Sequence, residues 1–440
     1  MSDITISEFL DTDYKKFAFY VLENRAIPGI DGLKPVQRKI LFAISAEGNQ
    51  KIKVNVLSGK VIYKAQYHHG NVSCEDAIVN MAQKFKNNLP ILDSIGIYGS
   101  LRNPYAASSR YISTKLSNIY DSIFKDDEIL NYNTIDGIQC EPLYYLPVIP
   151  MVLINGSSGI AVGFSTNILN RDPIEVIDRC LKVLSGGKIS NTKPLINEFS
   201  GEFIQDNENP KRWIIRGKFE ITRDGIKITE LPPSFTYESY EKILDKLVEN
   251  KTITDYKNNS KSNIDYQIKV DRKFVKTDEN IYSTFKLVEY ETEIFTTLDE
   301  TGKLKIFESD VDIINYFVNF RLNHYSKRKE FHLAKMKSEL TILSNKGRFI
   351  KAILDDKIEV KNQTKDKIVQ SIEAIGLDRI EDSYDYLLRM PIWSLTKDLF
   401  EKLKQDFKSK KDDIENYSKI DPKDMYVDDL NQLKKKIKSM

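Results

Sequence analysis

The chain's 440 residues exceed one ordinary core and imply two or three domains, while 66 Lys and Arg against 64 Asp and Glu leave a formal net charge of only +2, so global charge excludes no partner and favours none. Cys74, Cys140 and Cys180 lie far apart, with no C-x-x-C pair and no zinc-type His spacing, which excludes a disulfide framework or zinc site and leaves buried thiols in a reducing compartment. The acidic start has no signal-peptide pattern and no apolar run reaches membrane-span length, so the expectation is a cytoplasmic protein without a membrane partner.

Residues 1–140 form the first expected domain. Pro28-Gly29 and Asp31-Gly32 mark a turn, and Pro35 suits the first position of a helix carrying Ile40, Leu41 and Ile44. Ala77, Ile78, Met81, Ala82 and Phe85 recur at helical spacing behind Asn71 and Ser73, either of which is placed to cap. Short helices joined by tight turns fit a helix-turn-helix or winged-helix unit. From Ala26 to Lys125, thirteen Lys and Arg stand against six Asp and Glu, a local excess that points to a polyanion.

Residues 141–304 change texture. Strand-like runs such as Trp213-Ile214-Ile215 and Ile226-Lys227-Ile228-Thr229 flank a helix near Tyr237 to Val248, a second domain of mixed α and β structure. Pro210 to Arg216 and Lys257 to Asn263 read as surface connections. In residues 305–440, Met336, Leu340, Leu343, Ile350 and Leu354 fall at helical intervals, as do Leu399, Leu403, Ile414 and Tyr417. These are two long amphipathic helices around a small helical segment, an antiparallel arm suited to dimerisation, with an ordinary helical bundle as the alternative.

Four motifs narrow the function. They are Glu23-Asn24-Arg25-Ala26-Ile27-Pro28-Gly29-Ile30-Asp31-Gly32-Leu33-Lys34-Pro35-Val36-Gln37-Arg38, Tyr67-His68-His69-Gly70, Gly99-Ser100 ahead of Ala106-Ala107-Ser108-Ser109-Arg110-Tyr111, and Asn155-Gly156-Ser157-Ser158-Gly159-Ile160-Ala161-Val162-Gly163-Phe164-Ser165-Thr166-Asn167-Ile168. In this order and at these separations they resemble the breakage-reunion subunit of gyrase and the other type IIA DNA topoisomerases. Ile228-Thr229-Glu230-Leu231-Pro232 and the helical tail extend the resemblance over nearly the whole chain. Bacterial members continue into a DNA-wrapping domain; this sequence stops soon after its last long helix, an economy similar to the medium subunit of the T-even-phage type.

The resemblance implies a multidomain α+β protein. Its parts are a winged-helix DNA-cleavage domain (1–140), a mixed α/β tower (141–304) and a coiled-coil stalk with a small helical dimerisation gate (305–440). It also implies that Tyr111 is the nucleophile. A phenol attacks a phosphodiester and later leaves far more readily than an alkyl alcohol, so the bond energy is kept as a phosphotyrosine. Arg110 would brace the nonbridging oxygens, Arg25 would add charge, and His69 a hydrogen bond or proton transfer. Lys34, Arg38 and Lys39 would grip backbone phosphates, with a solvated basic face as the bland alternative. His68 and Ser158 join the DNA-binding set. Ile160 would wedge between base pairs and bend the duplex, against the alternative of a core isoleucine.

No metal site is expected in this chain. Adjacent residues such as His68-His69 rarely share one ion, and Asp11-Thr12-Asp13 and Asp310-Val311-Asp312 read as caps or exposed loops. No G-x-x-x-x-G-K-[ST] loop occurs. The resemblance therefore assigns Mg²⁺ and ATP to partner subunits with TOPRIM and ATPase domains. Double-stranded DNA and a second copy, joined through the C-terminal gate, complete the expected assembly. Gln37 stands where a histidine is common, and Asn71-Val72-Ser73 replaces the Asp-Ser pair of quinolone-sensitive members. The rivals are a non-catalytic architectural protein of the same fold, and a tyrosine recombinase, whose tyrosine would lie near the C-terminus.

Overall fold

The computed structural model describes residues 5–440 except 262, 361, 381 and 392–395. The chain is of mixed α and β structure and divides into two compact units, Met1–Arg321 with Val427–Met440, and Leu322–Tyr426.

In the first unit, the helix Pro35–Ser45 starts as its sequence dictates. Pro35 occupies the first turn, where a missing N–H costs nothing, and the Lys34 N–H donates to Gln37 Oε1 at 2.8 Å. Ile40, Leu41, Ala43 and Ile44 are buried. The helices Val54–Lys64 and Asn71–Ala82 pack on it and on each other. Neither Asn71 nor Ser73 caps the latter helix; it begins directly after Gly70, whose φ is +93°. Beside the helices, Ile52–Lys53, Ser113–Leu116 and Leu92–Ile95 make an antiparallel sheet with Ser113–Leu116 in the centre. Cys74, Cys140 and Cys180 are free and buried.

Further along the first unit, a four-stranded antiparallel sheet runs in the order Lys218–Ile221, Gly225–Glu230, Tyr266–Val270, Ile253–Asn258. The helix Tyr237–Glu249 covers it, sinking Tyr240 and Leu244 among Ile226, Ile228 and Ile268. Thr236 caps that helix, its Oγ1 accepting from the Ser239 N–H at 3.1 Å. A second sheet sets Arg212–Arg216 between Val288–Thr292 and Glu202–Gln205. Most of Pro210 to Arg216 is thus a central strand and not a connection, because Trp213 and Ile215 alternate into the core. Lys257 and Asn258 likewise belong to a strand.

The long helix Asp310–Leu354 enters the second unit at Leu322, and within that unit it runs antiparallel to the helix Lys397–Lys419 and the start of the helix Pro422–Lys438. Tyr325 stacks on Tyr426 with ring centroids 4.6 Å apart, Lys329 Nζ donates to Ile420 O at 2.7 Å, His332 meets Tyr417 edge-on, and Lys410 pairs with Glu339. Numbers rising on one side and falling on the other define the pairing. A helical knob with its own core of Phe349, Ile358, Ile372, Leu377 and Leu387 lies at the far end of that numbering. Val427–Met440 belongs to the first unit, where Leu430 and Leu433 are fully buried.

Candidate active site

Tyr111 ends a loop that is fixed at several points. Gly99 has φ +82°, and a Cβ there would fall 2.7 Å from Asn103 O, so only glycine fits the turn. Gln83 Nε2 donates to Tyr98 O at 2.8 Å and Pro104 O at 3.2 Å, and the Tyr98 hydroxyl donates to Ser113 O at 2.8 Å. Arg102 is buried against the Glu230 carboxylate (2.7 Å) and donates also to Pro232 O, Phe235 O and Leu231 O. At the loop's end the Tyr111 N–H donates to Ser108 O at 2.8 Å, and Lys53 Nζ donates to Tyr111 O at 3.0 Å. The backbone is thereby held while the Tyr111 side chain stays 65% exposed. The Arg110 guanidinium stacks over the phenol ring, its Cζ 4.6 Å from the centroid. An exposed phenol on a braced loop beside a delocalised cation has the chemistry to meet an anionic phosphodiester.

A second group forms where the first motif meets the second. Arg25 Nη2 lies 3.1 Å from His69 Nδ1, the Tyr20 hydroxyl 3.1 Å from His69 Nε2, and the Tyr67 ring stands edge-on to the imidazole at 5.4 Å. Burial, and then the neighbouring Arg25, His68 and Lys39, push the His69 pKa below the usual imidazole value, which favours the neutral ring at pH 7. Lys34, whose pKa burial lowers, donates through Nζ to Ser158 O at 2.7 Å. Ser158 belongs to the hairpin Ser157–Ile160 with Ser165–Ile168. That hairpin approaches Ala26 so closely that a Cβ on Gly159 would fall 2.1 Å from Ala26 O. Ile160, at the strand's end, is 87% exposed.

A cavity of about 1080 Å³ gathers Arg25, Lys34, His69 and Ser158, with Asn24 and Lys86 on the same lining. His68, Arg110, Tyr111 and Ile160 lie outside that lining; all four are exposed. Two of the residues expected to grip phosphates are engaged by the protein itself. Arg38 forms a two-pronged pair with Asp31, Nε to Oδ2 at 2.8 Å and Nη2 to Oδ1 at 2.9 Å, and its side chain is only 12% exposed. Lys39 donates to Glu141 Oε2 at 2.8 Å and Ala65 O at 2.6 Å. Their helix faces put both cations on protein carboxylates: Arg38 closes on Asp31 within the motif, and Lys39 ties the motif to the strand Ile138–Pro142 through Glu141. Tyr20, Lys53 and Arg102 were not anticipated. Arg102 sits inside the Gly99 to Tyr111 run, but Tyr20 and Lys53 lie outside the motifs, and their sequence surroundings carry no signal of their contacts.

The Asp-x-Asp pairs do not fit a metal ion. Asp310 is buried, not an exposed loop residue; its Oδ2 accepts from the Thr192 N–H at 2.7 Å and from its hydroxyl, 3.9 Å from Arg171 Nε. Asp312 Oδ2 accepts from the Ser309 hydroxyl, and Asp13 faces Lys16 at 3.8 Å. Among the described residues no three His, Cys, Asp or Glu side chains converge as metal ligands would.

The fold and this site define a class. The chain superposes on the DNA-binding, cleavage and re-ligation domain of Plasmodium falciparum topoisomerase II with a TM-score of 0.87 and 31% identity, over 98% of this chain and 64% of that one. The family of the A-type subunits of DNA gyrase and topoisomerase IV matches residues 25–433, and the chain belongs to that family. The DNA topoisomerase medium subunit of Enterobacteria phage T4 is 32% identical over 441 residues, 98% of each chain, in keeping with the size resemblance drawn from the sequence. The mitochondrial DNA topoisomerase 2 of Dictyostelium discoideum is 31% identical over 99% of this chain, which spans only 35% of that relative. Among the described residues no helix is long and apolar enough to cross a membrane.

Proposed function

We propose that this chain is the DNA-cleaving and rejoining subunit of an ATP-dependent type II topoisomerase acting in the cytoplasm. The Tyr111 hydroxyl oxygen attacks a backbone phosphorus, forming a tyrosyl P–O bond as the P–O3′ bond breaks. The phenol gives up its proton and the leaving 3′ oxygen gains one. The reverse attack by the 3′ hydroxyl reseals the strand and frees the tyrosine, so no energy input is needed for joining. Arg110 offers a guanidinium to the charge that develops on the phosphoryl oxygens, and Arg25 and Lys34 offer further positive charge along the cavity. Ile160, apolar and projecting into solvent, suits insertion between base pairs.

The three helices and three-stranded sheet around Tyr111 support the winged-helix reading of residues 1–140, and the paired long helices support a coiled-coil stalk whose helical knob joins two copies. Each copy then cuts one strand, and a second duplex passes through. Mg²⁺ and ATP come with partner subunits, a reading in keeping with the absence, among the described residues, of three converging metal-ligand side chains and of a G-x-x-x-x-G-K-[ST] loop in the sequence.

The observation that carries this proposal is Tyr111 itself, exposed on a braced loop under the Arg110 guanidinium. It is tested by mixing the chain with its metal-bearing partner, Mg²⁺ and end-labelled duplex, quenching with detergent, and comparing wild type with Tyr111→Phe. Protein-linked 5′ ends only in the wild type are expected. Linkage in both proteins would move the nucleophile elsewhere, and linkage in neither would favour an architectural protein that bends DNA without cutting it.

A further inference from the structure

Both ring nitrogens of His69 are engaged by protein groups, Nδ1 by Arg25 and Nε2 by the Tyr20 hydroxyl, each at 3.1 Å. A guanidinium has hydrogens to donate and no lone pair with which to accept. His69 Nδ1 must therefore be the acceptor, and the single proton of the neutral ring sits on Nε2. That Nε2–H donates to the Tyr20 oxygen. Donation thus runs in one direction, from Arg25 to His69 to Tyr20, and the phenolic hydrogen of Tyr20 is the outward end of the series. A chain of this kind strengthens its terminal donor, because each bond polarises the next. The cluster is compact. Arg25 Cζ lies 5.8 Å from the Tyr20 ring centroid, Tyr20 and His69 meet edge-on at 6.1 Å, and Tyr20 remains exposed. The charged and titratable neighbours of His69, namely Arg25, His68 and Lys39, are cationic or neutral, and all oppose a second proton on the ring.

We propose that Tyr20 is a further phosphate-contacting residue of the cleavage centre: its hydroxyl donates to a DNA phosphate oxygen the hydrogen bond that His69, with both nitrogens occupied, does not deliver directly. This rests on placing Arg25 and His69 at the scissile phosphate, as proposed above. His69 then acts as a positioning residue, holding the Tyr20 oxygen as an acceptor so that its hydrogen turns outward. A phosphodiester anion is the fitting recipient, since Arg25 in the same cluster supplies the positive field and the adjoining cavity carries Lys34 and Lys86.

Two measurements test this. In the reconstituted holoenzyme with Mg²⁺ and end-labelled duplex, Tyr20→Phe, which keeps the ring packing, is expected to slow single-turnover covalent-complex formation by about 10–100-fold, the worth of one hydrogen bond to a charged group. Thermal stability should stay near wild type. Adding Tyr20→Phe to His69→Ala should cost little more, because the two act in series. Separately, ¹⁵N-imidazole spectra of the full chain, which has four histidines, should show His69 neutral with the proton on Nε2, in wild type and also in Tyr20→Phe, where Arg25 still donates to Nδ1. Wild-type cleavage rates in Tyr20→Phe, multiplicative losses in the double variant, or a proton on Nδ1 would overturn the proposal. If Tyr111→Phe still traps DNA, the nucleophile is misassigned, and the His69 tautomer alone then decides whether Tyr20 is the terminal donor.

Discussion

Asp31 organises the first motif without facing solvent. Its two oxygens accept from the N–H groups of Leu33 (3.1 Å) and Tyr145 (3.0 Å) and from both prongs of Arg38. Asp31→Ala leaves a guanidinium uncompensated in the interior and should destabilise the fold by about 3–5 kcal/mol in urea titration; a loss below about 1 kcal/mol would mean that Arg38 finds water instead. Ile160 is the opposite case. It projects into solvent, so Ile160→Ala should leave stability within about 0.5 kcal/mol, while the bend of a bound duplex, read by energy transfer between its ends, should fall. An unchanged bend would remove its wedge role. The pH response of His69 has a definite sign. Its folded pKa lies below the unfolded one, so the unfolded chain takes up the proton first. The residue's small contribution to stability is complete above about pH 6.5 and is lost as pH falls from there through the folded pKa. Cleavage should accordingly persist below pH 6.5 until that ring protonates; an acid limb centred at 6.5 would show His69 unperturbed. Tyr111, Arg110, Lys34 and His69 drew notice because each falls in a dense motif, and the structure sets Arg110 over Tyr111 and puts Lys34 and His69 on one cavity lining. The inward pairing of Arg38 was not legible, since a basic residue on a helix gives no sign of which carboxylate the fold will bring to it.

At the scale of elements, the loop that delivers Tyr111 is fastened to a different part of the first unit. Arg102 carries the connection, placing four donated hydrogen bonds on Glu230 and the carbonyls that follow it. Glu230 in turn accepts from Ser200 and from the Leu231 N–H. Arg102→Ala should cost about 3–5 kcal/mol, because the buried Glu230 carboxylate loses its counter-charge, and Arg102→Met with Glu230→Gln should recover much of that. Chemical denaturation measures both, and a double variant as weak as the single would show that the hydrogen bonds outweigh the charges. The sequence disclosed the helices around this loop through their apolar spacing and Pro35, and the strands near Trp213 and Ile226 through alternation. It did not disclose that Arg212–Arg216 lies centrally in its sheet, because strand order depends on partners about ten and seventy-five residues away. The nearby Pro210, Lys211 and Arg212 gave that strand the look of a surface turn.

For the molecule as a whole, the last helix is the instructive element. Pro422–Lys438 has the charged, amphipathic texture of the stalk, and the pattern alone extends the stalk to the end of the chain. Yet Leu430 and Leu433 are fully buried within the first unit, Asp429 pairs with Lys125 at 2.7 Å, Lys434 pairs with Asp178, and Lys436 Nζ donates to Ser122 Oγ at 2.9 Å. Ser122 and Lys125 come soon after the strand Ser113–Leu116, and Asp178 lies in the helix Pro173–Leu184, so the segment stabilises the first unit. Periodicity shows that a helix has an apolar stripe; it does not show which surface will cover the stripe. Ending the chain at Tyr426 removes both leucines, each worth about 2–5 kcal/mol by the measure of a Leu→Ala change in a core. The unfolding transition of the first unit should therefore fall markedly in scanning calorimetry. The proposed dimer contact lies within Leu322–Tyr426, which the truncation leaves whole, so sedimentation equilibrium should still find two copies together. The pair Leu430→Ala with Leu433→Ala gives a gentler version if the truncated chain aggregates. Loss of the dimer with an unchanged first transition would instead assign the last helix to the dimer contact and detach it from the fold around Tyr111.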